Sequence, residues 1–344
     1  MKKVTTAGAV LLMTTTMVSA GGIDRSGQSV GVIFEDGNYV ELGFGYVMPE
    51  LTGKFMGAVD SGNIAPDYSQ LSAGLKTQTT DQLSLAVIID QPFGADVSYE
   101  EAGYPLNGSN AKVETTGVTV LARYAISDLL SVHGGLRQTT AKGVYDVTAP
   151  AVYQSTYSSD SGLGFVVGGA YERKDIALRI ALTYNSEVDL ALDGSVGDLT
   201  TTLPESVNLD FQTGIAADTL LFGSVRWVAW DGFALTDSIA GDILSYDDDV
   251  VTYNIGVGRR INEQLSASVS IGYEESTGEI TGNLGPTDGF LSVQLGAAYL
   301  LDNGVEVSAG VRYADLGDAT TSIIGAEFED NSAIGIGMKV AYNF

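Results

Sequence analysis

Few residues of this 344-residue chain have the types and spacing that chemistry needs. His133 is the only histidine. A serine–histidine esterase would require it to be paired with a serine on one side and an orienting group on the other, at a strand-to-helix elbow, and no enzymatic activity is expected. Asp247-Asp248-Asp249 offers the hard oxygen ligands that calcium takes, but without EF-hand spacing. A solvated loop is the simpler reading, and calcium binding stays open. No cofactor and no metal site are expected. The arginines are more suggestive. Arg137, Arg226 and Arg312 fall on the polar parity of alternating segments, where a guanidinium facing an enclosed space could hold a carboxylate headgroup bidentately. Pairing with acids of the same parity, such as Glu41, Asp210, Glu274 and Glu306, would instead hold neighbouring strands in register.

These arginines must be positioned by strands. From Ile176 to Leu192 the apolar residues Ile176, Leu178, Ile180, Leu182, Tyr184, Val188, Leu190 and Leu192 share one parity, while Arg179, Thr183, Asn185, Glu187 and Asp189 take the other. Period two over that length is a strand with one greasy and one polar face. The pattern recurs over Tyr39–Met48, Val118–Ile126, Val207–Ile215, Tyr253–Arg260, Leu265–Glu274, Leu291–Tyr299 and Val305–Tyr313. A soluble sandwich and a membrane barrel both alternate in this way. The tyrosines at strand ends, Tyr124, Tyr171, Tyr273, Tyr299, Tyr313 and Tyr342, resemble interfacial girdles and favour the barrel.

Connections alternate too. Six short turns, near residues 79–82, 127–130, 172–175, 217–218, 262–264 and 302–304, interleave with seven long polar loops, near 49–67, 97–112, 148–162, 193–204, 231–249, 276–289 and 317–331. Short turns on the periplasmic side and long loops outside are the transmembrane-barrel arrangement. The expected fold is therefore all-β, a 14-stranded antiparallel transmembrane β-barrel. Eight strands are filled by their own side chains and 16 to 18 leave an aqueous channel, so fourteen enclose a lumen that something must occupy. The spare segment is Gly21–Gly37, read as a short N-terminal hatch ahead of a barrel over 38–344. The third strand, Leu83–Ile89, runs into Asp90-Gln91-Pro92-Phe93-Gly94. Proline cannot donate to a ladder and glycine weakens one. Either the strand ends there and the loop begins, or Pro92, Phe93 and Gly94 interrupt the wall.

The first residues support export. Lys2 and Lys3 precede an uncharged stretch from Val4 to Val18 and then Ser19-Ala20, the form of a signal peptide over 1–20. No segment has the run of about 20 apolar residues that a transmembrane helix needs. The net charge of −26 becomes −28 once Lys2 and Lys3 are removed, leaving 15 basic against 43 acidic residues. Nucleic acid, which requires a basic face, is not expected as a partner. With no cysteine there is no disulfide framework.

Several tracts resemble the FadL-type family of outer-membrane transporters for long-chain fatty acids and aromatic hydrocarbons: Leu182–Gly194 (LTYNSEVDLALDG), Leu203–Gly214 (LPESVNLDFQTG) and Ser224–Phe233 (SVRWVAWDGF), in the family's order across nearly the whole mature chain. The resemblance implies passive uptake of hydrophobic compounds in the outer membrane of a Gram-negative cell, a hatch in the lumen, and a kink in the third strand through which cargo leaves sideways into outer-membrane lipid. That kink falls on Pro92, Phe93 and Gly94. The resemblance also sets Ile23 in the position of the apolar residue that lines the family's binding pocket. The family's Asn-Pro-Ala hatch motif is absent. The terminal Phe344 is a general signal for the barrel-assembly machinery rather than a family mark. A polar-solute diffusion porin is the competing function, and a surface adhesin the third.

Overall fold

The computed structural model describes residues 23–278 and 280–344; the expected signal peptide, with Gly21 and Gly22, lies outside them. Fourteen antiparallel staves close into a barrel: β1 (Tyr39–Glu50), β2 (Tyr68–Gln78), β3 (Leu83–Asp90, resuming as Gly94–Ser98), β4 (Asn110–Ala125), β5 (Leu130–Val147), β6 (Tyr153–Arg173), β7 (Leu178–Asn185), β8 (Ser206–Ala216), β9 (Thr219–Val228), β10 (Val250–Arg260), β11 (Leu265–Glu274), β12 (Phe290–Leu300), β13 (Val305–Leu316) and β14 (Asn331–Asn343). The last stave pairs with the first from Tyr39 opposite Asn343 to Glu50 opposite Ser332. That closure leaves no free barrel edge at the chain ends, which lipid demands because it offers backbone groups no partner.

The faces are those of a lipid-facing wall. Leu42, Leu71, Leu182 and Leu295 are more than half exposed, whereas the polar neighbours Thr119, Arg137, Thr183 and Ser308 on the other face are buried. Exposed rings gather in two bands, Tyr124, Tyr171, Tyr299 and Tyr342 near the short turns and Tyr46, Tyr253, Tyr273 and Tyr313 near the loops. These are the aromatic girdles of a membrane barrel. No helix of the described residues is long and apolar enough to cross a membrane, and the staves supply the crossing.

Two expectations are corrected. The alternating tract Ile176–Leu192 is not one strand: Lys174–Ile176 is a 3-10 turn, and the wall stave runs only from Leu178 to Asn185. Ser186 ends the ladder by replacing a backbone acceptor with its own side chain, Phe165 N–H donating to Ser186 Oγ at 2.9 Å. Val188–Leu192 then joins Leu199–Leu203, Phe233–Asp237 and Gly241–Tyr246 in a four-stranded sheet among the long loops. Val188, Leu190 and Leu192 are thus buried under that cap instead of facing lipid. The supposed long loop 148–162 is also mostly strand. β5 and β6 pair up to Val147 opposite Tyr153, leaving a turn of five residues, 148–152. Above the bilayer a ladder needs no apolar face, so the Ser158-Ser159-Asp160-Ser161 run hid it.

Three apolar clusters organise the interior. One, around Leu190, Trp230 and Leu235, lies beneath the four-stranded loop sheet, and a second surrounds Val47, Tyr99 and Phe328. The third joins Val30, Val32, Ile33 and Phe34 to small inward residues of the wall, such as Ala86, Ala170 and Ala181.

Candidate functional site

The third stave breaks at Gln91-Pro92-Phe93. Below the break Asp90 pairs with Gly117, above it Gly94 pairs with Glu114, so three residues stand opposite only Thr115 and Thr116. The one extra residue switches the outward parity: Leu85, Val87 and Ile89 face out below, and Asp96, ion-paired to Lys112 at 3.1 Å, faces out above. Thr115 takes over the lost ladder bonds, its Oγ1 accepting from Phe93 N–H at 2.9 Å and donating to Phe93 O at 2.6 Å. Gly117 makes room, because a Cβ there would stand 2.6 Å from Asp90 Oδ1 and 3.4 Å from Pro92 Cδ. On the other side β2 pairs with β3 only from Ala73 to Gln78. Tyr68–Ser72 and Gly94–Ser98 therefore flank a gap in the wall that no ladder spans.

Residues 23–38 run along the inside of the barrel. Asp24 makes a β-bridge with Phe93; Gly94 N–H donates to Ile23 O and Arg25 N–H to Pro92 O, each at 2.8 Å. Arg226, buried, ion-pairs with Asp24 through Nε and donates from its terminal nitrogens to Ser206 Oγ, Asn208 Oδ1 and Gln28 Oε1. Arg137 donates to Thr119 Oγ1 at 2.7 Å, to Asn185 Oδ1 at 2.9 Å and to the Gln28 carbonyl at 3.5 Å. Lower down, the Phe34 ring lies between the guanidiniums of Arg123 and Arg179, 5.1 and 5.0 Å from its centroid, with His133 edge-on at 5.4 Å. At the short-turn end Lys76, itself buried, donates to the carbonyls of Glu35 at 2.6 Å and Gly37 at 2.9 Å.

Two cavities meet this segment. One, of about 30 Å³ and almost wholly apolar, lies between Ile23, Ala95, Val113, Ala141, Leu190 and Leu244, under the four-stranded loop sheet. The other, of about 240 Å³, runs from Arg25, Leu71 and Gln91 at the gap down past Val32, Glu41 and Lys339 to Lys174. Beside the first, Trp230 is fully buried and meets Phe93, Phe233 and Tyr246 at ring distances of 5.8, 4.8 and 5.2 Å.

The cap over the apolar cavity is pinned by Asp237. Its Oδ2 accepts from the hydroxyls of Tyr153 and Tyr157 at 2.7 Å, and its Oδ1 from the N–H groups of Ile239 and Ala240. Burial pushes this carboxyl up, but the four hydrogen bonds prevail and hold it below the ordinary carboxylate range. A lowered folded pKa gives stability that is present above the unfolded value of about 3.9 and is lost as pH falls below it. Protection of residues 199–203 and 233–246 against hydrogen exchange, taken relative to the intrinsic rate at each pH, is expected to be high at pH 7 and to fall both below about pH 4 and at neutral pH in Asp237→Asn. Acid-insensitive protection would show that Asp237 does not hold the cap.

The predicted residues separate clearly. Ile23 lines the apolar cavity; Pro92 and Phe93 lie in the break together with Gln91, and Gly94 is the first paired residue above it. Arg137 and Arg226 converge on Gln28, whereas Arg312 lies apart, over the Phe290 ring at 4.9 Å. The first two hold the chain's own N-terminal segment. Asp249 accepts from Trp227 Nε1 and Asp231 N–H, which staples a loop. Among the described residues no group of three or more histidine, aspartate or glutamate side chains is arranged to hold a metal. His133 Nε2 lies 3.0 Å from Thr183 Oγ1. The chain does contain one Gly-x-Ser-x-Gly string, Gly27-Gln28-Ser29-Val30-Gly31, but it sits in the luminal segment ahead of a four-residue 3-10 turn, and Ser29 Oγ accepts from Gly31 N–H at 3.2 Å. It lacks the strand-to-helix setting of a nucleophile elbow. Asp24, Arg25, Tyr68 and Trp230 escaped sequence reasoning, the first two because the segment has no periodicity.

A closed fourteen-stave wall with a greasy exterior and a polar, occupied lumen defines an outer-membrane-type β-barrel. No protein-family model matches the chain, and no curated protein matches it in sequence. Solved structures show the fold. A FadL homologue of Pseudomonas aeruginosa superposes with a TM-score of 0.78 over 96% of each chain at 13% identity. The toluene transporter TodX of Pseudomonas putida gives 0.71 over 96% of each at 11% identity, and the toluene transporter TbuX of Ralstonia pickettii 0.66 over 91% of each at 13%. The chain has the FadL-type barrel fold.

Proposed function

We propose that this chain is a passive outer-membrane channel for small uncharged hydrophobic compounds. They are captured in the apolar cavity beneath the loop sheet and leave sideways through the gap in the third stave, with the luminal segment as a hatch. The observation that carries this reading is that one residue, Ile23, both lines the apolar cavity and hydrogen-bonds through its carbonyl to Gly94 at the gap. Cavity and opening are then adjacent compartments of one route. The fold shared with a FadL homologue and two toluene transporters agrees with it.

A long-chain fatty acid is the less favoured cargo. Its carboxylate would need an anchor, and Arg226 and Arg137 are committed to Asp24 and Gln28. At about 30 Å³ the cavity is smaller than the roughly 150 Å³ that admits benzene in an engineered core, so any cargo enters by displacing side chains. A polar-solute porin is the rival, and the segment that Arg137 and Arg226 tie to the wall takes up part of the lumen it would need. The exposed Phe344, stacked on Tyr342, stands at the rim where assembly machinery would read it. Toluene and benzoate separate the cargo classes, having nearly one shape and differing in charge. In vesicles with a lipopolysaccharide outer leaflet, and after the rate of protein-free vesicles is subtracted, the protein should admit toluene at least about tenfold faster than benzoate, since an unpaired carboxylate is costly in an apolar cavity. Equal rates, or steady ion conductance in planar bilayers, would favour the porin.

A further inference from the structure

The gap poses a problem that the wall does not solve by itself. Its two edges, Tyr68–Ser72 and Gly94–Ser98, carry backbone groups without a strand partner across the opening, and lipid offers none. Side chains fill the breach. Gln91 Oε1 accepts from Leu71 N–H at 3.0 Å. Arg25 does more, since it touches both edges at once: its guanidinium carbon lies 3.9 Å from the centroid of the Tyr68 ring, and its Nε donates to Gly94 O at 2.9 Å. Tyr68 and Gly94 are the first residues of the two opposing edges. Gly94 is fitted to this contact, because a Cβ there would stand 2.9 Å from both Cζ and Nε of Arg25.

We propose that Arg25 is the latch of the lateral opening, bridging its two edges through the Tyr68 ring and the Gly94 carbonyl, so that a hydrophobic solute passes only when the guanidinium withdraws. The inference rests on the lateral route proposed above and adds to it a residue that sets whether the route is open. Arginine suits the task because a planar guanidinium stacks on a ring while its in-plane N–H groups donate elsewhere. Lysine, a compact ammonium, cannot stack and bridge in this way. Ser26 holds the next residue in place, its Oγ donating to Asp90 Oδ2 at 2.6 Å, so the latch is seated on the lower half of the same broken stave.

The chain has no cysteine, so Ser72→Cys, on the cavity wall beside the gap, gives a single reporter. Liposomes containing the full-length reporter protein are treated with N-(1-pyrenyl)maleimide dissolved in the bilayer, and toluene uptake is measured alongside. Labelling should be slow with Arg25 present and roughly thirtyfold faster in Arg25→Ala, in Tyr68→Leu and in Arg25→Lys, the factor one desolvated cation–π contact is worth. The Arg25→Ala, Tyr68→Leu double variant should label no faster than either single one, because both break one bridge. A merely structural arginine would be rescued by lysine. Heat-modifiable migration on gels checks that each variant is folded, and Tyr68→Leu tests the latch without altering the luminal segment. Unchanged labelling in Arg25→Ala and Tyr68→Leu, or slow labelling in Arg25→Lys, overturns the latch. Faster labelling without faster toluene uptake supports the latch and sinks the lateral route.

Discussion

Deleting Pro92 is expected to abolish toluene transfer while leaving a better-sealed barrel. The reasoning is one of register. Asp90 stands opposite Gly117 and Gly94 opposite Glu114, so removing one residue sets Gln91 against Thr116 and Phe93 against Thr115 without disturbing either half. On the other flank Ala73 pairs with Ile89. The shortened stave would extend that ladder to put Phe93 against Gln70, Gly94 against Ser69 and Ala95 against Tyr68. Each recovered backbone hydrogen bond contributes about 0.5–1.5 kcal/mol, so the variant should unfold at higher denaturant than the parent. On the proposed lateral route, uptake above that of protein-free vesicles should fall by at least about tenfold, because a continuous hydrogen-bonded wall leaves the cargo no sideways exit. A variant that is more stable and still transfers toluene at the parental rate would eliminate the lateral route and send the cargo through the lumen.

The same geometry shows why a bulkier residue at Gly94 is a poor way to close the wall. A Cβ there meets the Arg25 guanidinium, so Gly94→Val dislodges the group that fills the gap while the extra residue of the break remains. Register, not bulk, is what seals a sheet.

The barrel was legible because a lipid-facing wall imposes period two on nearly every stave and pairs short turns with long loops. Where that constraint lapses, so did the reading. Val188, Leu190 and Leu192 keep the alternation of β7 yet belong to the cap, since a half-buried loop sheet and a membrane stave ask the same pattern of a sequence. At Pro92 the proline and glycine marked a discontinuity, but the residues alone left open whether the strand ended there or the wall was interrupted, and it was the resemblance that pointed to an interruption. The use made of Arg137 and Arg226 was not legible. Their parity says that they face inward, but whether an inward guanidinium meets a ligand or the chain's own Asp24 and Gln28 depends on an aperiodic segment, and contacts at sequence separations of 109 and 198 leave no local trace. Arg25 and Tyr68 are a still harder case, for neither belongs to a motif and their contact exists only because the wall fails to close between them.

Arg226→Met is expected to turn a closed lumen into a conducting one. The Asp24 carboxylate is buried, its Oδ1 has no hydrogen-bond partner among the described residues and its Oδ2 is held by Arg226. Removing one member of a buried ion pair costs about 3–5 kcal/mol because the other charge is stranded. The segment has a cheaper option than staying so placed: it can leave the wall and carry Asp24 into water, giving up its bonds to Ser206, Asn208 and Pro92. The docked-to-undocked ratio should fall by about two to three and a half powers of ten, at about 1.4 kcal/mol per tenfold. Hydrogen exchange of residues 23–38 should then accelerate while that of the staves does not, and planar bilayers should show channel openings that the parent lacks. Adding Asp24→Leu removes the stranded charge, and the double variant should regain much of the protection and lose most of the openings. Exchange and conductance that match the parent in Arg226→Met would show that the ion pair does not hold the segment, leaving Phe34 and Lys76 at the short-turn end as its anchors.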